Sequence, residues 1–116
     1  PFVSDERPFQ PGRCLVGDRR ARMRYLDAVA AEARAVAPDA ATRTIRAVKV
    51  SGPSPSIMSP DKLGELLLEV RRLFDLADDC EVSLEAAPHT VGVPSLTGWG
   101  QGKVNRVVLR ADSVQP

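Results

Sequence analysis

Helix-type and strand-type hydrophobic patterns alternate along this chain, separated by proline- and glycine-rich punctuation, and that alternation confines it to the α/β class. Over residues 18–36, Met23, Leu26, Val29, Ala30, Ala33 and Val36 fall at spacings of three and four and share one helical face. Asp18 stands where an N-cap belongs, and Pro38 is placed to stop the helix. Residues 44–50, TIRAVKV, are rich in β-branched side chains and read as a strand. The loop SGPSPSIMS follows, and Ser59, Pro60 and Asp61 then open a second helix as N-cap, first helical residue and first-turn acid. Its apolar stripe is Leu63, Leu66, Leu67, Val70, Leu73 and Phe74.

Residues 80–86, CEVSLEA, alternate strictly: Val82, Leu84 and Ala86 face one way, Glu81, Ser83 and Glu85 the other. Residues 88–103 predict only a weak helix, because Gly92, Gly98, Gly100 and Gly102 sit within them and each interior glycine costs about 1 kcal/mol. Residues 104–110, VNRVVLR, read as a further strand, and Phe2 and Val3 can anchor a sheet edge. The expectation is a parallel sheet of about four strands with crossover helices, in one domain over residues 1–116. A chain of this length buries roughly 65% of the surface that it exposes when unfolded.

A net charge of +1 gives no electrostatic case for nucleic acid or an anionic membrane, and the arginines are interleaved with acids. No run approaches the ~18 apolar residues of a membrane span. With no secretory pattern at the start, a cytoplasmic protein is expected, with Cys14 and Cys80 as free thiols.

Four blocks, in order, carry a resemblance. PFQPGRCLVG (residues 8–17) resembles the cluster loop PFCxxxCxYC of the radical S-adenosylmethionine (SAM) proteins of the oxygen-independent coproporphyrinogen III oxidase class. SGPSPSIMSPDKL (51–63) is similar to that family's GGGTPSxLxxxxL, LEAAPHT (84–90) to LEANPxT, and KVNRVVLRADSVQP (103–116) to GVNRxSxGVQSFxx. The resemblance implies half of a partial (β/α)6 barrel. It also implies a [4Fe–4S] cluster, held by three cysteine thiolates, that leaves one iron open to SAM.

The departures set the chemistry expected here. Only the middle cysteine is kept, as Cys14; Gln10 and Gly17 stand at the other two positions. One thiolate and a carboxamide do not make a cluster site, so no iron–sulfur cluster, no metal and no radical chemistry are expected. Ser51, Gly52 and Pro53 occupy the three glycine positions of the loop that cradles SAM in the family, and Pro53 removes an N–H donor there. With that loop altered, retained SAM binding is not the expectation. Glu85 matches the family's cofactor-contacting glutamate, and Asp112 replaces the glutamine of GVQ.

In the resembled register, Ser83, Glu85, Arg110 and Asp112 project from adjacent strand ends, where α/β proteins bind ligands. The candidate catalytic residues are Glu85, Asp112 and His89, the sole histidine, in the loop APHT. The candidate ligand-binding residues are Ser51, Gly52, Ser54, Ser83, Arg110 and Trp99; Trp99 is either a mobile lid or a cover on the core. A plainer reading makes Glu85–Arg110 a leftover salt bridge, His89 an exposed loop residue and Cys14 a relic.

The expected function is binding of a small organic ligand, with non-radical acid–base or cyclisation chemistry of the lyase, cyclase or isomerase kind in a biosynthetic pathway. The alternative is a non-catalytic pseudo-enzyme that docks on an intact radical SAM enzyme. Helices on one side leave a sheet face and edges bare, so a homodimer or a partner chain is expected to cover them.

Overall fold

Asp18 starts the first helix as its sequence position implies: its Oδ1 accepts the Ala21 N–H at 2.7 Å, and helix α1 runs Arg19–Val36. The computed structural model describes residues 18–52 and 54–110, with the backbone of residues 2–3 and 15–16. Leu26 and Ala30 of the α1 stripe are buried, whereas Val36 is 45% exposed and has left the apolar face. Pro38 ends α1 without ending the turn. It lies in a 3-10 turn, Ala37–Ala40, near whose start a missing N–H has no partner to lose.

Strand β3, Thr44–Val50, helix α2, Pro60–Leu73, strand β4, Asp75–Ala86, helix α3, Val93–Gln101, and strand β5, Arg106–Leu109, follow in order. The sheet order is β3-β4-β5 with both pairings parallel, so each neighbour is reached through a crossover helix. Strands β1, Phe2–Val3, and β2, Leu15–Val16, form a separate two-stranded parallel pair. The α/β parallel architecture is therefore as expected, and three strands make up its main sheet among the described residues.

Three local expectations change. Strand β4 begins at Asp75, well before the alternating stretch at 80–86, because β4 advances from Leu76 to Glu81 while β3 advances only from Ile45 to Ala47. The extra residues form an irregular bulge rich in aspartate, which hides the strand from pattern reading. Second, Ser83 is only 7% exposed, so the polar face of β4 is not open there: the strand is central, with neighbours on both sides. Third, the Ser59 side chain makes no capping hydrogen bond; only its carbonyl closes the first turn, accepting the Leu63 N–H at 2.9 Å.

The core gathers Leu26, Met58, Leu63, Leu67, Cys80, Val82, Leu84, Ala86 and Trp99 between the helices and the sheet. Helix α3 exists despite its glycines because those glycines permit a close crossing with α2. A Cβ on Gly98 would lie 2.6 Å from Pro60, and one on Gly102 would lie 2.9 Å from the Gly64 Cα. The helix then closes in a Schellman motif: the Lys103 N–H bonds the Gly100 carbonyl at 3.0 Å and the Val104 N–H bonds the Trp99 carbonyl at 3.1 Å. Lys103 occupies the left-handed position of that motif, with φ 62. Among the described residues no helix is long and apolar enough to cross a membrane.

Candidate functional site

The alternation of β3 and β4 puts Lys49, Ser83 and Glu85 on one side of the sheet, with Lys49 directly opposite Ser83 in the parallel register. Glu85 lies at the carboxyl end of β4, one residue before the strand ends. Its two carboxylate oxygens are divided between two cations: Lys49 Nζ is 2.8 Å from Oε1, and Arg110 Nη1 is 3.6 Å from Oε2. Arg110, immediately after β5, also donates from Nη1 to the Gly52 carbonyl at 3.3 Å. The cluster therefore ties together the ends of all three strands and the loop after β3. Glu85 is largely covered, its side chain 16% exposed, while Lys49 and Arg110 keep 60% and 51%.

The loop after β3 is shaped by Gly52, whose φ of +135 is a conformation that only glycine adopts readily. Ser54 leads into a 3-10 turn, Pro55–Ile57, and its carbonyl accepts the Ile57 N–H at 3.3 Å. Ser56, in this turn, is buried and accepts the Ala87 N–H at 3.2 Å. The Ser56 and Thr90 hydroxyls share a 2.7 Å hydrogen bond, and Thr90 Oγ1 lies at the same distance from the Ala87 carbonyl. The loop after β3 is thus bolted to the loop after β4, and the resembled blocks at 51–63 and 84–90 become one surface.

The sequence-derived candidates fare unevenly. Glu85, Arg110 and Gly52 meet directly, and the Ser51 and Ser54 backbones flank them in the loop. Ser83 is on the same side of the sheet, buried, and in register with Lys49 and Arg106. His89 is exposed in the 3-10 turn Pro88–Thr90 and makes no hydrogen bond or ion pair with a described residue. Trp99 requires correction: it is 1% exposed inside α3, a core residue rather than a lid or ligand contact, because its turn of α3 faces the helix–sheet interior. Its Nε1–H is buried without a partner among the described residues. Asp112, with Gln10, Cys14, Gly17 and Pro53, lies outside the described residues.

Sequence reading missed Lys49, Ser56 and Asn105. Lys49 carried a signal, since a lysine between two valines of a strand must share a face with the polar positions of its neighbour. Asn105 acts at the opposite end of the sheet. Its Oδ1 accepts the Val82 N–H at 2.9 Å and its Nδ2 donates to the Cys80 carbonyl at 3.0 Å, which extends the ladder before β5 starts. A second ion pair, Arg106–Glu81 at 3.0 Å, lies on the polar side of the sheet.

A cavity of about 310 Å3 lies on the other, helix-covered side of the sheet, where Val48 and Val50 are in register with Val82 and Leu84. Tyr25 and Val29 of α1, Val48 and Val50 of β3, and Leu66 and Val70 of α2 line its interior, and Ser51, Gly52 and Ser54 lie at one end.

No family model matches the chain. Individual proteins do. It is 36% identical over 93 residues to the heme chaperone HemW of Mycobacterium tuberculosis, an alignment covering 80% of this chain and 24% of that protein. The heme chaperone HemW of Escherichia coli is 31% identical over 71 residues, covering 61% and 19%. The fold is similar to that of coproporphyrinogen III oxidase (HemN) from Escherichia coli, described as a radical SAM enzyme, with a TM-score of 0.81, 22% identity, and coverage of 94% of this chain and 25% of that one. The chain thus spans about a quarter or less of the length of these relatives. The four sequence blocks, the parallel α/β architecture and these relationships together establish that the chain belongs to the radical SAM proteins of the HemN and HemW type.

Proposed function

We propose that this chain works without an iron–sulfur cluster and binds a small organic ligand at the carboxyl ends of its strands. The observation that carries the reading is the Lys49–Glu85–Arg110 cluster, joined to the Gly52 carbonyl in the loop after β3. Open α/β sheets bind their ligands at the carboxyl ends of the strands, where this cluster lies. The donor set does not fit a [4Fe–4S] cluster. The chain has two cysteines, fewer than the three thiolates of such a site, and one of them, Cys80, is 3% exposed in the hydrophobic core. No group of three metal-ligating side chains occurs among the described residues.

In this reading Glu85 is the acid–base group and Arg110 and Lys49 orient it, with His89 and Asp112 as further candidates for proton transfer. Any chemistry is of the non-radical lyase, cyclase or isomerase kind, in a biosynthetic pathway. SAM is not the ligand expected. The site is tested by screening compounds for thermal stabilisation, where a ligand at about 100 times its Kd adds about 2.7 kcal/mol. A stabilising compound whose effect is lost in Glu85→Gln supports the proposal. Stabilisation unchanged by Glu85→Gln, or none from any compound, contradicts it.

A second reading has one observation in its favour. Val107 and Leu109 are exposed apolar side chains on β5, an edge strand of the sheet among the described residues, with Leu109 at 57%, and Val93 and Leu96 on α3 are exposed as well. An exposed apolar edge strand suits docking against a second copy or another chain, without catalysis. Co-purification with an intact radical SAM protein, lost on Leu109→Lys, supports this role; no association with such a protein contradicts it.

A further inference from the structure

We infer that the chain has a second binding site, on the helix-covered side of the sheet, for an uncharged apolar molecule the size of a single ring or a short alkyl chain. The site is the cavity of about 310 Å3 between α1, β3 and α2. It lies on the opposite side of β3 from the charged cluster, so it stands whether or not the strand ends bind a ligand.

The packing shows where the space comes from. Val48 and Val50 of β3 are in register with Val82 and Leu84 of β4 and share their face. Val82 and Leu84 are 2% and 0% exposed, whereas Val48 and Val50 are only partly buried. One apolar layer is therefore closed over β4 and left unfilled over β3. The helix above repeats the pattern: Leu26 and Ala30 of the α1 stripe are buried, but Val29, which lines the cavity, is only partly so. Leu66 and Val70 of α2 form the remaining wall. One turn of α-helix, about 10 Å across and about 5.4 Å in pitch, occupies roughly 420 Å3. The space is smaller than that, so it suits a small molecule and not a helix of a partner, and its volume is at the small end of ligand pockets.

The chemistry of the lining sets the class of ligand. Among the described residues that line the cavity, Lys49 is the only lysine, arginine, aspartate or glutamate, and its ammonium is turned away, 2.8 Å from Glu85 on the other side of the sheet. A charged group entering the cavity is buried with no partner, which is strongly unfavourable. Ser51 and Ser54 lie at one end, and neither hydroxyl bonds a described residue, so one hydroxyl or carbonyl of the ligand can be received there. An apolar body with one such group fits, and an ion does not.

The experiment titrates the full 116-residue chain with octanol, octanoate and octylammonium, read by the methyl NMR shifts of Val29, Val48, Val50 and Val70. Octanol is expected to shift these methyls and to bind at least about tenfold more tightly than either ion. Val29→Phe and Val70→Phe, which fill the space from opposite helices, are each expected to weaken octanol by at least about tenfold. Nuclear Overhauser contacts between octanol and the Val29 and Val70 methyls, measured on the unaltered chain, locate the ligand without relying on either variant. Either ion binding as tightly as octanol, or octanol affinity unchanged in both variants, overturns the inference. So does octanol that shifts the amides of Glu85 and Arg110 but not these methyls. Contacts to the same methyls from side chains of residues 1–17, seen with no probe present, also overturn it, since the chain then fills the space itself.

Discussion

Lys103 is the residue whose conformation the sequence least announces. A lysine at φ 62 closes α3, where glycine is the usual occupant and an L side chain costs about 1–2 kcal/mol. Lys103→Gly is therefore expected to raise stability by about 1 kcal/mol, read as a higher midpoint in urea with an unchanged slope; a lower midpoint contradicts the strain argument. Asn105 behaves in the opposite sense. Its side chain replaces two ladder hydrogen bonds at Cys80 and Val82, so Asn105→Ala is expected to cost about 1–3 kcal/mol in the same measurement, although its side chain adds nothing to the apolar core. The Asp18 cap was legible because it sits directly before a periodic run. The roles of Lys103 and Asn105 were not, since each depends on a partner or a dihedral that no local pattern records.

At the scale of elements, the glycines of residues 88–103 were correctly seen as costly to a helix but their use was hidden. Gly64 and Gly98 let α2 and α3 approach until a Cβ on either would collide with backbone of the other helix. Gly100 faces open space on the same helix, with nothing within 4 Å of a Cβ. Gly98→Ala is accordingly expected to destabilise by about 1–3 kcal/mol through overpacking, and Gly100→Ala to stabilise by about 0.5–1 kcal/mol through helix propensity and unfolded-state entropy. Thermal unfolding of the two variants checks both, and equal effects of the same sign contradict the close-crossing account. The early start of β4 was illegible for a related reason. Its first residues, Asp75 and Leu76, are placed by pairing with Thr44 and Ile45 of β3 rather than by their own propensity, and Asp78 and Asp79 follow in the bulge. The alternation at 80–86 correctly gave the direction of Glu85 but not the burial of Ser83, which comes from the strand's central place in the sheet.

For the whole molecule, the alternation of patterns sufficed for an α/β fold with parallel pairing, since crossover helices leave few other ways to join such strands. The partial site was legible too: Glu85 and Arg110 do meet at the strand ends. Lys49 was not foreseen because no single strand shows which neighbour it will face. The exposed apolar side chains beside the β5 edge lead us to expect a dimer of this chain, read by light scattering as twice the chain mass and lost on Leu109→Lys. A monomer at all concentrations contradicts that expectation. The central claim is that a radical SAM fold has here been separated from its cluster, with Gln10 and Gly17 at two ligand positions and Cys80 sealed in the core. It is tested most directly by anaerobic reconstitution with iron and sulfide, followed by iron analysis and visible absorbance. Iron at trace, substoichiometric levels with no cluster absorbance is the predicted result, and a full [4Fe–4S] complement per chain would contradict it.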